Sequence, residues 1–370
     1  MTTIGLDAKR IVRNATGLGS YGRTLVNDLV RLGNDQMQLR LYAPDKGRDE
    51  LRQQIIGDGC TPFFYPDGHP GGLRKAWWRS RGIVSDLKRD GVTVYHGLSG
   101  ELPVGLRRAG IRGIVTIHDL IFLRHPEYYS RVDALIYRWK FQQAVREAEH
   151  IIAISECTRR DILAFGGQHL DERISLIYQS CSPRFGAAVP DDVLAAVRER
   201  YHLPERYILS VGTIERRKNL RLAVEALNRL PAGVHLVAVG RQTSYVKELP
   251  VSDRFHLLRN VPDTDLAALY AMAEVFAYPS RYEGFGIPVI EAIAAGLPVV
   301  ACKGSCLEEA GGPDSLYVDA NDVAGMADAL CRCLRGADGR EERIARSREY
   351  IRRFQGTDVA AQVAALYMEL

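Results

Sequence analysis

One stretch of the sequence decides the fold, Ser280-Arg-Tyr-Glu-Gly-Phe-Gly-Ile-Pro-Val-Ile-Glu-Ala-Ile-Ala-Ala-Gly-Leu-Pro-Val-Val300. The apolar run 275–278 predicts a buried strand in front of it, and a glycine-rich turn follows. The pattern from 288 to 295 then predicts a helix, and a second apolar run begins at Val299. The stretch is therefore a strand, loop, helix and strand unit.

Two glutamates and two glycines give this unit its chemistry. Glu283 lies in the loop and Glu291 on the helix. Gly284 and Gly286 let the backbone approach a ligand closely, and the amides that begin the helix favour an anionic or hydroxyl-rich group, such as a diphosphate sugar. The structural alternative is an exposed loop acid and a helix carboxylate that interacts favourably with the macrodipole.

The stretch resembles the donor-binding signature of retaining glycosyltransferases with two Rossmann-like domains (GT-B), in particular glycosyltransferase family 4. The resemblance implies that the transferred sugar contacts Glu283 and the loop residues Gly284, Phe285, Gly286 and Ile287. It also implies that Glu291 holds the ribose hydroxyls.

Alternation of strand and helix patterns in both halves predicts an α/β fold of two doubly wound parallel sheets facing across a cleft. We expect an acceptor-side domain at 1–184, a linker at 185–205 and a donor domain at 206–350. The family resemblance implies that a helix in 351–370 crosses back to the first domain.

A basic turn follows the strand pattern 207–212. Arg217 and Lys218 stand at the amino end of a helix pattern, where cations and amides can surround one anion. The alternative is a solvated basic turn. Arg-Lys-Asn is similar to the family's diphosphate site, which makes Arg217 and Lys218 the expected phosphate ligands. Many family members have an arginine at the position of Thr213, and Arg216 could substitute for that arginine. Gly240 is expected near the nucleotide.

Gly17, Gly19 and Gly22 spell the G-x-G-x-x-G pattern of dinucleotide-binding proteins, with Asp45 at the distance of a ribose-binding acid. Some ten residues separate the first glycine from the preceding strand, which disfavours nicotinamide binding. The resemblance implies instead that Gly17 and Gly19 face the donor phosphates and the acceptor.

Two strand patterns end on histidines, His96 and His118, at the edge where ligands bind in open α/β sheets. The resemblance implies that His118 lies beside the donor sugar, whereas the role of His96 stays open.

A tryptophan-bearing basic stretch suits the boundary between water and lipid headgroups. We expect contact with the inner membrane through Arg74, Lys75, Trp77, Trp78 and Arg79, the alternative being a core tryptophan beside a solvated basic face.

The composition is that of a globular protein, with 46% apolar and 25% charged residues among 370. The amino terminus has no export pattern, and the seven cysteines lack metal-ligand spacing, so we expect a cytoplasmic protein with free thiols and no metal. A net charge of +4 does not suggest nucleic acid.

The resemblance implies a retaining hexosyltransferase that needs no cofactor and reacts by same-face attack, with Glu283, His118, Arg217 and Lys218 at the catalytic centre. Segments such as 118–119 and 212–215 look most like bacterial mannosyl-type transferases, which suggests GDP-mannose as donor and a glycan or lipid-linked acceptor in surface polysaccharide synthesis. The alternatives are a nucleotide-sugar 2-epimerase and a regulatory subunit that binds nucleotide sugar without turnover.

Overall fold

The computed structural model describes residues 1–15, 17–33, 35–57, 61–68, 71–354 and 356–370. It contains two compact units, unit 1 (1–180 with 354–370) and unit 2 (181–353). The division thus falls after Ser180 rather than after 184, and the segment expected to be a linker, 185–205, belongs to unit 2. Cys60 lies outside the described residues.

Unit 1 is built on a parallel sheet. Within its described residues the sheet has seven strands in the order β3-β2-β1-β4-β5-β6-β7. These strands are β1 (Thr2–Asp7), β2 (Met37–Tyr42), β3 (Phe63–Phe64), β4 (Val94–Gly97), β5 (Arg112–Ile117), β6 (Ala148–Ala153) and β7 (Ile174–Leu176).

Helices cover this sheet. They are α1 (Lys9–Arg13), α2 (Leu18–Leu32), α3 (Asp49–Arg52), α4 (Gly72–Trp77), α5 (Ile83–Arg89), α6 (Ile121–Arg124), α7 (Arg131–Glu147), α8 (Glu156–Gly166) and, from the end of the chain, α16 (Gly356–Glu369). A single π-helical turn, Trp78–Gly82, joins α4 to α5.

Unit 2 repeats the plan with six parallel strands among its residues, in the order β10-β9-β8-β11-β12-β13. They are β8 (Tyr207–Val211), β9 (His235–Val239), β10 (Phe255–Leu258), β11 (Val275–Tyr278), β12 (Val299–Cys302) and β13 (Leu316–Val318). The helices are α9 (Asp191–Arg200), α10 (Leu220–Ala226), α11 (Asp263–Met272), α12 (Ile287–Ala294), α13 (Leu307–Gly311), α14 (Val323–Cys331) and α15 (Arg340–Tyr350).

The sequence explains why these strands are central. Strands β11 and β12 are buried at every position, as expected of parallel strands covered by helices on both faces. In each sheet the strand order reverses direction at one point, between β1 and β4 in unit 1 and between β8 and β11 in unit 2. Such a switch point opens a crevice at the carboxyl ends of the strands, where ligands bind in this class of fold. The predicted doubly wound sheets are therefore present in both units.

The last helix belongs to the core of unit 1. Helix α16 packs on α2, and its Tyr367 hydroxyl lies 2.6 Å from His96 Nδ1. The other ring nitrogen of His96 lies 2.7 Å from Thr116 Oγ1. Burial lowers the pKa of His96 to about 3, so the ring is neutral. His96 thus ties the carboxyl-terminal segment to the centre of the first sheet.

We expect Tyr367→Phe to lower the free energy of unfolding by about 1–3 kcal/mol, because one nitrogen of a fully buried imidazole then loses its partner. Urea denaturation followed by circular dichroism measures this change. Gln362→Ala, on the exposed side of the same helix, is the matched control and should stay within about 0.5 kcal/mol. Equal stability of both variants would contradict a structural role for the His96 contact.

Candidate active site

Two loops meet at the switch point of unit 2. The first follows β8 (212–219) and the second follows β11 (279–286), and the strands that carry them are neighbours. The Arg281 amide donates to the Arg217 carbonyl at 2.9 Å, and Arg217 Nη1 donates to the Tyr282 carbonyl at 2.6 Å. These reciprocal bonds fix the basic turn against the glutamate loop.

A buried ion cluster forms where the loops touch. Glu283 Oε1 lies 2.5 Å from Lys218 Nζ, and Glu283 Oε2 lies 2.9 Å from Arg217 Nη1. The Ser280 hydroxyl donates to the same carboxylate, and Arg217 also pairs with Glu215 at 2.8 Å. The structure therefore brings the predicted sugar ligand, Glu283, against the two predicted phosphate ligands, although Glu283 lies 65 positions after Lys218 in the chain.

The cluster determines the charge state of Glu283. Burial would raise the pKa of this carboxyl, but Lys218 and Arg217 outweigh burial and lower it to about 2. Burial, together with the charge of Arg217, lowers the pKa of Lys218. Because Glu283 is ionised and already bound by two cations, its carboxylate occupies a place suited to an anion.

Tyr278 is a member of this site that the sequence analysis missed. Its hydroxyl accepts a hydrogen bond from Lys218 Nζ at 2.6 Å, and the ammonium also lies 4.9 Å from the ring centroid. Tyr278 is the last residue of β11, so its position at a carboxyl strand end was a signal in the sequence that could have identified it.

Cys306 holds the backbone of the glutamate loop. Its buried sulfur lies 3.1 Å from the Glu283 carbonyl oxygen and 2.9 Å from the Phe285 carbonyl oxygen. In a trans peptide the amide of the next residue points the opposite way, so the amides of Gly284 and Gly286 are directed away from this thiol. Gly286 directly precedes α12, and its φ of 115° is a backbone conformation that favours glycine.

Glu291 lies on α12 apart from the ion cluster. Its Oε2 accepts a hydrogen bond from the Tyr270 hydroxyl at 3.1 Å. Burial raises the pKa of Glu291 to about 7, against the opposing effects of Tyr270 and Arg184. A carboxylate so placed can accept hydrogen bonds from hydroxyl groups, but it carries its full charge only above neutral pH.

Gly240 has a packing role in the structure, and Arg216 lies outside the ion cluster. A Cβ on Gly240 would lie 1.9 Å from the Gly212 carbonyl oxygen, so this glycine is required for the two strand-end loops to approach each other. The Arg216 side chain is exposed and pairs with Glu248 at 2.8 Å, rather than joining the ion cluster in place of the missing arginine. Thr213 follows Gly212 at the end of β8.

His118 lies in unit 1, at the end of β5. Its Nε2 donates to the Leu98 carbonyl at 2.8 Å, which leaves Nδ1 as the acceptor for the Gln179 amide at 2.8 Å. Burial lowers the pKa of His118 to about 4. The ring is therefore neutral with both nitrogens engaged, which suits contact with a ligand better than proton transfer. Gln179 is thus a partner of His118.

The glycine-rich loop of unit 1 does not have the geometry of a dinucleotide site. Helix α1 lies between β1 and Gly17, and a Cβ on Gly19 would lie 1.8 Å from the Asn14 carbonyl oxygen. Gly19 therefore permits close packing of α2 on the turn after α1, whereas Gly17, with φ 50°, has open space around its Cα. Asp45 forms ion pairs with Arg13 and Lys75.

Two residues of the tryptophan-bearing stretch are internal. Trp78 is 7% exposed and donates through Nε1 to Asp86 at 2.7 Å, and Arg79 pairs with Asp7 and Glu101. The prediction that Trp78 and Arg79 contact a membrane is therefore wrong. Trp77, by contrast, is 62% exposed.

Among the described residues, none of the helices is long and apolar enough to cross a bilayer. In the same part of the chain there is no group of three acidic, histidine or cysteine side chains able to hold a metal ion.

Comparison with known proteins identifies both units. The family model described as Glycosyltransferase Family 4 matches residues 15–182, and the model described as Glycosyl transferases group 1 matches residues 205–336. The chain is 30% identical over 381 residues to O-antigen chain mannosyltransferase B of Escherichia coli, covering 95% of this chain and 96% of that protein.

Two further similarities are informative. The chain is 29% identical over 353 residues to a GDP-mannose-dependent phosphatidylinositol monomannoside mannosyltransferase of Mycolicibacterium smegmatis, covering 85% and 84% of the two chains. The crystal structure of Anabaena HepE in complex with UDP-glucose covers all of both chains with a TM-score of 0.77 at 18% identity, which shows the shared fold. With a family model matched in each unit and a relative similar along almost its whole length, the chain belongs to glycosyltransferase family 4.

Proposed function

We propose that this glycosyltransferase transfers mannose from GDP-mannose to a glycan or lipid-linked acceptor in bacterial surface polysaccharide synthesis. The observation that carries the proposal is the ion cluster at the switch point of unit 2, in which Arg217 and Lys218 hold an ionised carboxylate. The mannosyltransferase relatives support the choice of sugar, and the name of the mycobacterial relative supports the choice of nucleotide.

In this proposal Glu283 occupies the anion site until the donor binds. The diphosphate competes for Arg217 and Lys218, and Glu283 is then released toward the hydroxyls of the transferred sugar. The two cations remain with the phosphate, whose negative charge grows as the glycosidic bond breaks, so they stabilise the charge where it develops. The loop amide of Gly286, turned away from Cys306, supplies a further donor.

The reaction that the family resemblance implies is compatible with these contacts. The acceptor hydroxyl attacks the anomeric carbon on the face that the phosphate leaves, the carbon–oxygen bond to phosphate breaks, and the leaving phosphate takes the hydroxyl proton. Configuration is therefore retained without a covalent intermediate and without a metal ion or other cofactor. His118 remains a predicted contact of the donor sugar, acting as a neutral ring.

We also propose that the protein contacts a membrane, through a surface that differs from the tryptophan-bearing stretch expected from the sequence. Helix α7 exposes Val132, Leu135 and Ile136 on one face, each at least 46% exposed, and Arg131 and Arg138 are exposed beside them. Leu73 on α4 is 90% exposed. Exposed apolar side chains among cations suit the surface of an anionic bilayer. The protein would then work at the cytoplasmic face of the inner membrane.

One assay tests both the identity of the donor and the need for a metal ion. Purified protein is incubated with GDP-mannose, UDP-glucose or UDP-N-acetylglucosamine, with and without an α-linked mannose trisaccharide, and released nucleotide and new glycan are measured. We expect nucleotide release and a longer glycan with GDP-mannose and trisaccharide, unchanged by EDTA. Epimerised donor without nucleotide release would indicate the epimerase instead, and binding without either product would indicate a regulatory subunit.

In the same assay, Glu283→Gln should lower kcat/KM by about 100-fold or more, because the neutral amide keeps the shape of the carboxylate but not its charge. The matched control is Glu248→Gln, whose exposed carboxylate pairs with Arg216 from the same basic turn. It should change kcat/KM by less than about twofold. Similar rates for wild type and Glu283→Gln would remove Glu283 from the catalytic centre.

The raised pKa of Glu291 predicts a pH-dependent affinity for the donor. If ribose hydroxyls bind the ionised carboxylate, the donor KM should rise about tenfold between roughly pH 8 and pH 6, since the acid form accumulates below a pKa of about 7. Glu291→Gln should raise KM at every pH and remove this dependence. A wild-type donor KM that is flat over this range would contradict the assignment.

Binding of the membrane is measured by sedimentation with vesicles. Leu135→Glu should reduce the fraction bound to anionic vesicles about tenfold, because a carboxylate replaces an apolar side chain at the lipid boundary. Val251→Glu, at a fully exposed position in unit 2, is the control. Undiminished binding of Leu135→Glu would exclude α7 as the contact.

A further inference from the structure

A second crevice lies at the switch point of unit 1. Its volume is about 340 Å³, and its floor includes Asp7, the last residue of β1, and Glu101, from the loop after β4. Helices α4 and α7 form its sides, through Trp77 and Trp139. The crevice in unit 1 therefore lies at the same place in the sheet as the ion cluster in unit 2. This is the place where ligands bind in this class of fold.

Charged groups line the floor of this crevice. Arg79 pairs with both Asp7 and Glu101, and Lys140 Nζ lies 3.0 Å from Glu101 Oε1. Burial would raise the pKa of Glu101, but Arg79 and Lys140 lower it to about 2. Lys9 also faces the crevice, and in the part of the chain that the structure describes its ammonium has no hydrogen-bond partner. The floor thus offers both hydrogen-bond donors and acceptors to a ligand.

The mouth of the crevice is aromatic. Trp77 is 62% exposed and Trp139 is 53% exposed. The ring of Trp77 lies against Gly82, where an added Cβ would lie 2.7 Å from the indole. Gly82 ends the π-helical turn that begins at Trp78, and π-helical turns occur frequently at functional sites. A glycine at 82 therefore leaves room for the Trp77 indole at the mouth of the crevice.

We propose that this tryptophan-lined crevice binds one sugar residue of the acceptor glycan, an inference that rests on the proposed function. A pyranose presents an apolar C–H face, which suits an indole, and hydroxyls around its edge, which suit carboxylate, guanidinium and ammonium groups. Purely apolar ligands such as acyl chains would cover the Arg79–Glu101 pair without satisfying it, which is costly. The volume allows about one to two sugar rings.

The chain contains three tryptophans, and all of them lie in or next to this crevice, at positions 77, 78 and 139. Intrinsic fluorescence therefore reports on it directly. We expect an α-linked mannose trisaccharide to change the emission of the wild-type protein saturably, and Trp139→Ala to weaken the trisaccharide affinity about tenfold. The matched control is Phe165→Ala, at a partly exposed aromatic position on α8, which should keep wild-type affinity.

Transfer kinetics separate this inference from the proposed function. With GDP-mannose as donor, Trp139→Ala should raise the KM for the trisaccharide about tenfold, with the change falling on that KM rather than on the KM for the donor. Glu101→Gln should act in the same direction. If the wild type transfers mannose but neither variant alters the trisaccharide KM or affinity, the crevice is not the acceptor site. If the wild type transfers no sugar from any donor yet its fluorescence titration is abolished by Glu101→Gln, which keeps all three tryptophans, the crevice binds sugar and the proposed reaction fails.

Discussion

The pairing of Glu283 with Lys218 and Arg217 is the constraint on which the site in unit 2 depends. Charges of both signs are taken out of water here, which is unfavourable unless each is matched closely by its partners. The match requires the two strand-end loops to keep a fixed spacing, and the bonds between Arg217, Arg281 and Tyr282 supply it. The strand order also brings the two loops together, because the strand order reverses between β8 and β11 and makes these strands neighbours.

This arrangement also explains how the site can select its ligand. Two cations and the loop amides favour a diphosphate. When no diphosphate is bound, the Glu283 carboxylate pairs with the two cations. In the proposed function, binding of the donor then exchanges one anion for another. The cost of desolvating Arg217 and Lys218 is met during folding rather than at the moment of reaction, which is the condition for electrostatic stabilisation of a transition state.

The two units use the same topology for different surfaces. In unit 2 the switch point carries the ion cluster of Glu283, Arg217 and Lys218, whereas in unit 1 it carries a crevice lined by tryptophan rings and the Arg79–Glu101 pair. His96 and His118 of unit 1 are neutral and hydrogen-bonded at both nitrogens, so they order the centre of the sheet through Tyr367 and Gln179. Cations suit phosphate, and an aromatic surface suits a sugar ring.

The sequence by itself determined the alternation of strands and helices, the placement of Arg217, Lys218 and Glu283 at strand ends, and the family. These features are local, because apolar periodicity and turn residues act over a few neighbouring positions. Only the tertiary structure decided the partners of each side chain. It placed Trp78 inside and Trp77 outside, gave Gly19 a packing role, and joined Cys306 to the glutamate loop. Such contacts join residues far apart in the chain, and no local pattern specifies which of them will meet.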